Sequence, residues 1–327
     1  MRSLKSYYNG KEGRVTDKWS LYIDEYEKLF SYYRDAKIRM LEIGIQNGGS
    51  LDIWGEYFHN AEIIIGCDIN LDCLKLDYNN SKISVIFGDV NSLQSINNIL
   101  KKSEEFDIII DDGSHKSSDI IKTFAHYFSL LSNDGIYVVE DLHCSYWKDF
   151  EGGLYDPYSA ISFFKQLTDI IGFEHWGIKK SRTEFLSRFT SRFDISFEEQ
   201  LLKHIHSIEF INSICIIRKA SPENNILGER VITGNIAQVN TELLDTQQNN
   251  TSQTPSQEDN IWSNIPKAPE EEYLQHKSKI KENEDIIRIL KDELDGKNKL
   301  LSSILRSKSW RMTSFLRIIH KKLKPLF

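Results

Sequence analysis

Two apolar runs in the middle of the chain each end in a pair of acids. Asp111-Asp112 follow Ile108-Ile109-Ile110, and Glu140-Asp141 follow Tyr137-Val138-Val139. A helix-like stretch separates them. A βαβ crossover sets such strands side by side and parallel, with both carboxyl ends on one edge. Ligands of open α/β sheets bind at that edge. Several carboxylates and His115 should therefore meet in one cleft. Like charges at contact distance repel, so the cluster needs a cation or raised pKa values to be tolerable.

The rest of the first two thirds repeats the pattern. Apolar runs at 38–45 (IRMLEIGI after Lys37), 63–69 (IIIGCDI) and 83–87 precede the pair, with helical patterns such as LDIWGEYF between them. Continuous apolar runs of this kind belong to a mostly parallel sheet covered on both faces, an α/β Rossmann-like architecture. Residues 208–219 read as a strand pair or one long bent strand that closes the domain. The segment 150–205 reads as helices and loops on the substrate side. Near the start, Thr16 is placed as a helix N-cap, followed by Leu21, Tyr22, Tyr26, Leu29, Phe30 and Tyr33 at helical spacing. That helix either packs on the sheet or covers a cofactor.

A formal net charge of −7 excludes nucleic-acid binding by bulk charge. The four cysteines are scattered without CxxC spacing, as expected of reduced thiols. No apolar segment at the N-terminus resembles a signal peptide, and no run is long enough to span a bilayer. The expected location is cytoplasmic.

Glu42-Ile43-Gly44-Ile45-Gln46-Asn47-Gly48-Gly49-Ser50 follows the first strand and feeds a helix, so its glycines let a ligand approach the backbone. It is not GxGxxG. Asp68 ends the next strand, where an acid bonds ribose hydroxyls, and Asp89 after the third strand is placed to meet an adenine amino group. Together they point to an adenosine-containing ligand. Asp112, Glu140 and Asp141 supply carboxylate oxygens for half an octahedron, which suits Mg²⁺ or Mn²⁺ and argues against zinc. His115, three residues after Asp112, is the candidate base for a metal-bound hydroxyl. His143 is a second candidate. Asp111 is read as a supporting or cofactor-side carboxylate.

From residue 221 the composition turns to Asn, Gln, Thr, Ser and Pro, the signature of a disordered linker over 221–268. A helix then carries Ile280, Ile287, Leu294 and Leu301 seven apart, with Leu290 and Ile304 three after members of the series. This is a short heptad run that predicts a coiled coil over 269–305 and a homo-oligomer, or else a lone amphipathic helix. From Arg306 on there are seven Lys or Arg and no acid, interleaved with Trp310, Met312, Phe315, Leu316, Ile318, Ile319 and Leu323. Such a tail suits the anionic inner face of a cytoplasmic membrane, or an acidic protein surface.

The run TDK…Y…YE, LEIGIQNGGS, CDIN, GDV, FDIIIDDGSH and GIYVVEDLHCSYW resembles the metal-dependent class I S-adenosylmethionine (SAM) methyltransferases that act on sugar hydroxyls, with the macrolide deoxysugar O-methyltransferases as reference. The resemblance covers about residues 10–220. It implies a seven-stranded sheet in a methyltransferase domain over 1–220. It also implies an O-methyltransferase activity with SAM contacts at Glu42, Gly44, Ser50, Asp68 and Asp89, and a saccharide acceptor. It assigns Mg²⁺ to Asp112, Glu140 and Asp141, and the base to His115. The tail, with Ser307, Ser309-Trp310-Arg311, Thr313, Leu316 and Arg317, resembles the SxSWRxTxxLR ending of bacterial polysaccharide-assembly proteins. That implies an O-antigen or capsule-like substrate, possible chain capping and a glycosyltransferase partner. The alternatives are a non-catalytic scaffold and a methyltransferase for an antibiotic-type small molecule.

Overall fold

The apolar runs become strands β1 (Arg39–Ile43), β2 (Ile63–Asp68), β3 (Ile83–Phe87), β4 (Phe106–Asp111) and β5 (Leu131–Val139). The stretch expected to be a strand pair or one bent strand is a hairpin, β6 (Ile205–Ile211) and β7 (Ile214–Lys219). All seven join one sheet in the order β3-β2-β1-β4-β5-β7-β6. Pairing is parallel from β3 through β5, and β7 runs antiparallel to both β5 and β6. This computed structural model describes residues 2–241, 254–263 and 268–323.

Both faces of the sheet are covered, because successive residues of a strand point to opposite sides. Ile108, Ile110, Ile136 and Val138 pack with Tyr22, Tyr26, Phe30, Trp54 and Phe58. These come from helix α2 (Ser20–Phe30), helix α3 (Gly49–Tyr57) and its C-cap Phe58, the short helix α1 (Leu4–Asn9) adding Leu4. Ile109, Tyr137 and Val139 face the other way, toward Phe124, Phe163 and Phe164. Those belong to α5 (Ser117–Tyr127) and α6 (Ala160–Ile171), while α4 (Leu93–Leu100) contributes Ile99 to the same layer. Fully burying a side chain of this size stabilises by roughly 1.5–3 kcal/mol, so these two layers are the main stabilising term. All four cysteines are buried and unpaired.

The first long helix starts later than its pattern suggests. Thr16 does not cap it. Residues 15–19 are irregular, and Trp19 stands at the N-cap position without a side-chain cap bond. Lys18, in that irregular stretch, has its ammonium held in the carboxylate cluster described below. Within the expected linker, residues 254–263 are tied to the first unit. Thr254 Oγ1 donates to the Glu174 carbonyl, Gln257 N–H to the Gly177 carbonyl, and Lys179 N–H to Glu258 Oε1. The parts of that linker at 242–253 and 264–267 lie outside the described residues.

The chain divides into two units, Met1–Asn264 and Ile265–Phe327. In the second, one helix runs Ala268–Arg306 for 39 residues, about 58 Å at 1.5 Å per residue. Ser307 then caps the short helix Lys308–Met312, accepting from Trp310 N–H, and Ser314–Leu323 follows. Among the described residues, no helix is long and apolar enough to cross a membrane.

Candidate active site

Strand order reverses between β1 and β4, and a crevice opens beyond their carboxyl ends, as expected at such a switch point. It holds a cavity of about 240 Å³ lined by Gly44, Gln46, Asp68, Ile69, Gly88, Asp89, Val90, Asn91 and the stretch from Asp111 to Ser114. Gly44 makes the crevice possible. Its φ is +81°, and a Cβ there would fall 2.0 Å from the Asp112 carbonyl oxygen. Any other residue would force the two strand ends apart.

Four of the expected cofactor contacts line this cavity: Gly44, Asp68, Asp89 and Asp111. Asp68 Oδ2 accepts from Ile45 N–H (2.9 Å) and Gln46 N–H (2.8 Å), and its Oδ1 from Asn70 N–H (2.8 Å), so it also ties down the glycine loop. Asp89 Oδ1 accepts from Asn91 N–H at 2.9 Å. Asp111 Oδ1 accepts from Gly113 N–H at 3.3 Å, while its buried Oδ2 meets no donor. Burial raises this carboxyl to about 7. Its Oδ2 is buried beside the Tyr137 hydroxyl rather than turned to the cavity. Glu42 and Ser50 do not line the cavity. They lie beneath the loop, where Ser50 Oγ donates to Glu42 Oε2 at 2.7 Å.

Beside the cavity stands an ion cluster that the sequence pattern did not foretell. Lys18 Nζ lies 2.5 Å from Asp112 Oδ2, 2.8 Å from Glu140 Oε1 and 3.6 Å from Glu42 Oε1, with the lysine side chain 2% exposed. Tyr26 O–H also donates to Glu140 Oε1, at 2.5 Å. Burial disfavours a charged lysine, but Glu140, Asp112 and Glu42 together outweigh it and hold the ammonium well above its ordinary pKa. Burial pushes the acids the other way. Asp112 rises to about 6 despite the pull of Lys18, and Glu140 and Glu42 are raised for the same reason. One ammonium among three carboxylates, Glu42 and Glu140 buried and Asp112 half-buried, leaves negative charge that protons or a further cation must balance.

Asp112, His115 and Asp141 form the outer half of the site. Donor atoms of all three lie within 4.8 Å of one another. His115 Nε2 is 3.9 Å from Asp112 Oδ1 and 3.7 Å from Asp141 Oδ2. Desolvation lowers the His115 pKa, which keeps its imidazole neutral and able to accept a proton near neutral pH. Asp141 Oδ1 accepts from Tyr22 O–H (2.8 Å) and Trp19 Nε1–H (3.0 Å), which leaves Oδ2 for the centre. His115 and Asp141 both have left-handed backbones, with φ +58° and +53°. Strain of about 1–3 kcal/mol per such residue persists where surroundings over-determine it, and it clusters at functional sites. His143 Nδ1 is bonded to Ser213 Oγ and also lies 3.9 Å from Asp141 Oδ1, so the ring stays at the edge of the site.

The donor set fits a hard divalent cation, since oxygens dominate and the local charge is in deficit. Asp112 and Asp141 present the accessible carboxylates. Glu140 sits deeper, 1% exposed, with Oε1 engaged by Lys18 and Tyr26. Lys18, Tyr22 and Tyr26 were not singled out from sequence as site residues. For the two tyrosines, four apart on α2, that spacing was the available signal, since it puts both hydroxyls along one side of the helix.

No family model matches the chain. It is 33% identical over 164 residues to the 8-demethyl-8-alpha-L-rhamnosyl tetracenomycin-C 2'-O-methyltransferase of Streptomyces olivaceus, covering 47% of this chain and 42% of that protein. It is 35% identical over 157 residues to the mycinamicin VI 2''-O-methyltransferase of Micromonospora griseorubida, covering 45% and 38%. The chain thus spans less than half the length of these curated relatives. Among solved structures, it is similar to the MycE methyltransferase of the mycinamycin pathway in complex with Mg and SAH. The TM-score is 0.53 and the identity 25%, over 69% of this chain and 56% of that one. The first unit of the chain has the Rossmann-like fold of these methyltransferases.

Proposed function

We propose that the chain transfers a methyl group from SAM to a sugar hydroxyl, with Mg²⁺ or Mn²⁺ bound. The observation that carries this reading is the position of Asp112. It lines the cavity at the sheet's switch point and also stands within reach of His115 and Asp141. Names of the relatives, which cite rhamnosyl and mycinamicin acceptors, support a sugar hydroxyl as the methylated group.

When bound, the donor supplies an electrophilic methyl and the cation lowers the pKa of a neighbouring hydroxyl. Asp112, Glu140 and Asp141 are the residues that would hold the cation. Gly44 would let a nucleoside approach the backbone, and Asp68, Asp89 and Asp111 line the cavity that would take it. His115 takes the hydroxyl proton at Nε2. Positioning of two reactants across Asp112 accounts for most of the rate gain. The test is methyl transfer from labelled SAM to a rhamnoside, with and without EDTA. No transfer to any glycoside, together with no binding of S-adenosylhomocysteine (SAH), would sink the reading.

A finer reading rests on the second unit. Along Ala268–Arg306, Ile280, Ile287, Leu290, Leu294, Leu301 and Ile304 are all exposed, at 42–58%. An apolar stripe of this length calls for a partner, and heptad spacing favours a second copy of the same helix. Residues 306–323 are basic, and Arg317 lies 3.6 Å over the Trp310 ring. We read 1–220 as the methyltransferase domain, 221–268 as its linker, 269–305 as an oligomerising coil and 306–327 as a basic membrane-surface tail. On this reading the acceptor is a surface polysaccharide at the inner face of the cytoplasmic membrane, with a glycosyltransferase close by. The relatives' names favour the simpler antibiotic-type glycoside.

A further inference from the structure

An arc of aromatic rings borders the His115 side of the site. Trp19 lies edge-on to His143 at 6.1 Å, His143 to Trp147 at 4.9 Å, Trp147 near Phe150 at 6.0 Å, and Phe150 near His115 at 6.4 Å. The two indoles are left open, Trp19 59% exposed and Trp147 52%. Both are nonetheless held. Trp19 is fixed by its bond to Asp141 Oδ1, and the Trp147 ring is braced edge-on by His143 at 4.9 Å and by Phe150 at 6.0 Å.

Two neighbouring exposed indoles joined through His143 at the mouth of a charged centre form one contiguous apolar patch, the kind of surface that marks a binding site. The centre inside the arc is polar, made by Asp112, His115 and Asp141. The interplanar angles are 84° for Trp19–His143 and 75° for His143–Trp147, so the arc offers single ring faces rather than a parallel slot. A planar aromatic acceptor asks for a slot that sandwiches it. A pyranose asks for one apolar surface under its axial C–H bonds, and for acceptors around its rim of hydroxyls. The arc matches the pyranose.

We propose that Trp147, with Trp19 beside it, is the platform on which the acceptor's sugar ring lies, its reacting hydroxyl directed at His115 and Asp112. This rests on the sugar-methylation reading above and adds where the sugar is held. Trp147 is then a binding residue that contributes to acceptor affinity and leaves the donor site alone.

The test is saturation-transfer NMR on the full chain with Mg²⁺, SAH and methyl α-L-rhamnopyranoside as probe, which needs no turnover. The expected result is transfer to the C–H protons of one sugar face. Trp147→Ala should weaken the glycoside about three- to tenfold, and Trp147→Phe should recover most of that loss. SAH affinity, read by calorimetry, should not move in either variant. Wild-type glycoside binding in Trp147→Ala, equal losses of glycoside and SAH affinity, or tighter binding of catechol through Trp147 would each overturn the platform. Glycoside binding without methyl transfer would count against the reaction and leave the platform standing. Methyl transfer with an unchanged acceptor KM in Trp147→Ala would do the reverse.

Discussion

Lys18 Nζ and Glu140 Oε1 lie 2.8 Å apart although 122 positions separate them in the chain. The contact pins the N-terminal segment to the end of β5. It makes that segment part of the site rather than a lead-in to it, because Trp19, Tyr22 and Tyr26 follow Lys18 onto Asp141 and Glu140.

Removing this ammonium should cost stability. Lys18→Met leaves the buried Glu140 and Glu42, and the half-buried Asp112, without their counter-ion, which is worth about 3–5 kcal/mol when one partner of a buried pair is lost. Urea unfolding without metal should show a loss of this size, and saturating Mg²⁺ should restore part of it. An unchanged midpoint would mean that the cluster is protonated throughout and needs no cation.

The buried acids give the metal-free protein an unusual pH profile. Asp111 is raised to about 7 and Asp112 to about 6, against 3.8 for the unfolded side chain. Between those values the folded chain keeps protons that the unfolded chain has released. Unfolding therefore loses protons, and stability falls as pH rises from about 4 to 7, by about 1.4 kcal/mol per pH unit for each group held protonated. In EDTA, the melting temperature should be higher at pH 5.5 than at pH 7.5. Mg²⁺ should reverse or flatten that slope, since it binds the ionised forms. A rising slope in EDTA would show these carboxyls to be ionised in the folded state.

Gly44→Ala should be damaging out of proportion to one methyl group. The new Cβ meets the Asp112 carbonyl oxygen, and the φ of +81° is itself strained for alanine. A loss of about 2 kcal/mol or more is expected, with SAH binding lost or weakened at least tenfold. Calorimetry on the folded variant reads the second effect, and wild-type affinity would remove Gly44 from the donor site.

On the coiled-coil reading proposed above, Leu294→Glu should separate copies of the chain. Leu294 is 58% exposed and sits in the heptad series of the long helix. Light scattering after size exclusion should show a smaller species than wild type, with SAH affinity unchanged. Equal masses for both would leave the stripe free for another partner.

Much of this was legible in the residues. Apolar runs gave five strands, and the acids closing four of them gave the edge where the site lies, because a parallel strand buried on both faces must be continuously apolar. Asp112, His115 and Asp141 come together because two adjacent strand ends leave them nowhere else to go. Lys18 was not legible. Its segment reads as a helix from Thr16, whereas the helix starts at Ser20 and Lys18 is held by tertiary contact with three carboxylates. Glu42 and Ser50 were expected at the cofactor. The strand end points Glu42 into the interior instead, where it bonds Ser50 beneath the loop. Side-chain direction of this kind depends on register, which composition does not carry.

The most direct measurement of the central claim is a single NMR time course with ¹³C-methyl SAM, Mg²⁺ and methyl α-L-rhamnopyranoside. The account predicts a new methyl-ether carbon on the sugar that grows with time, stops on addition of EDTA, and is at least a hundredfold slower in His115→Ala, within the usual worth of a general base. A methyl ether that forms unchanged in EDTA, or at the wild-type rate in His115→Ala, would contradict it.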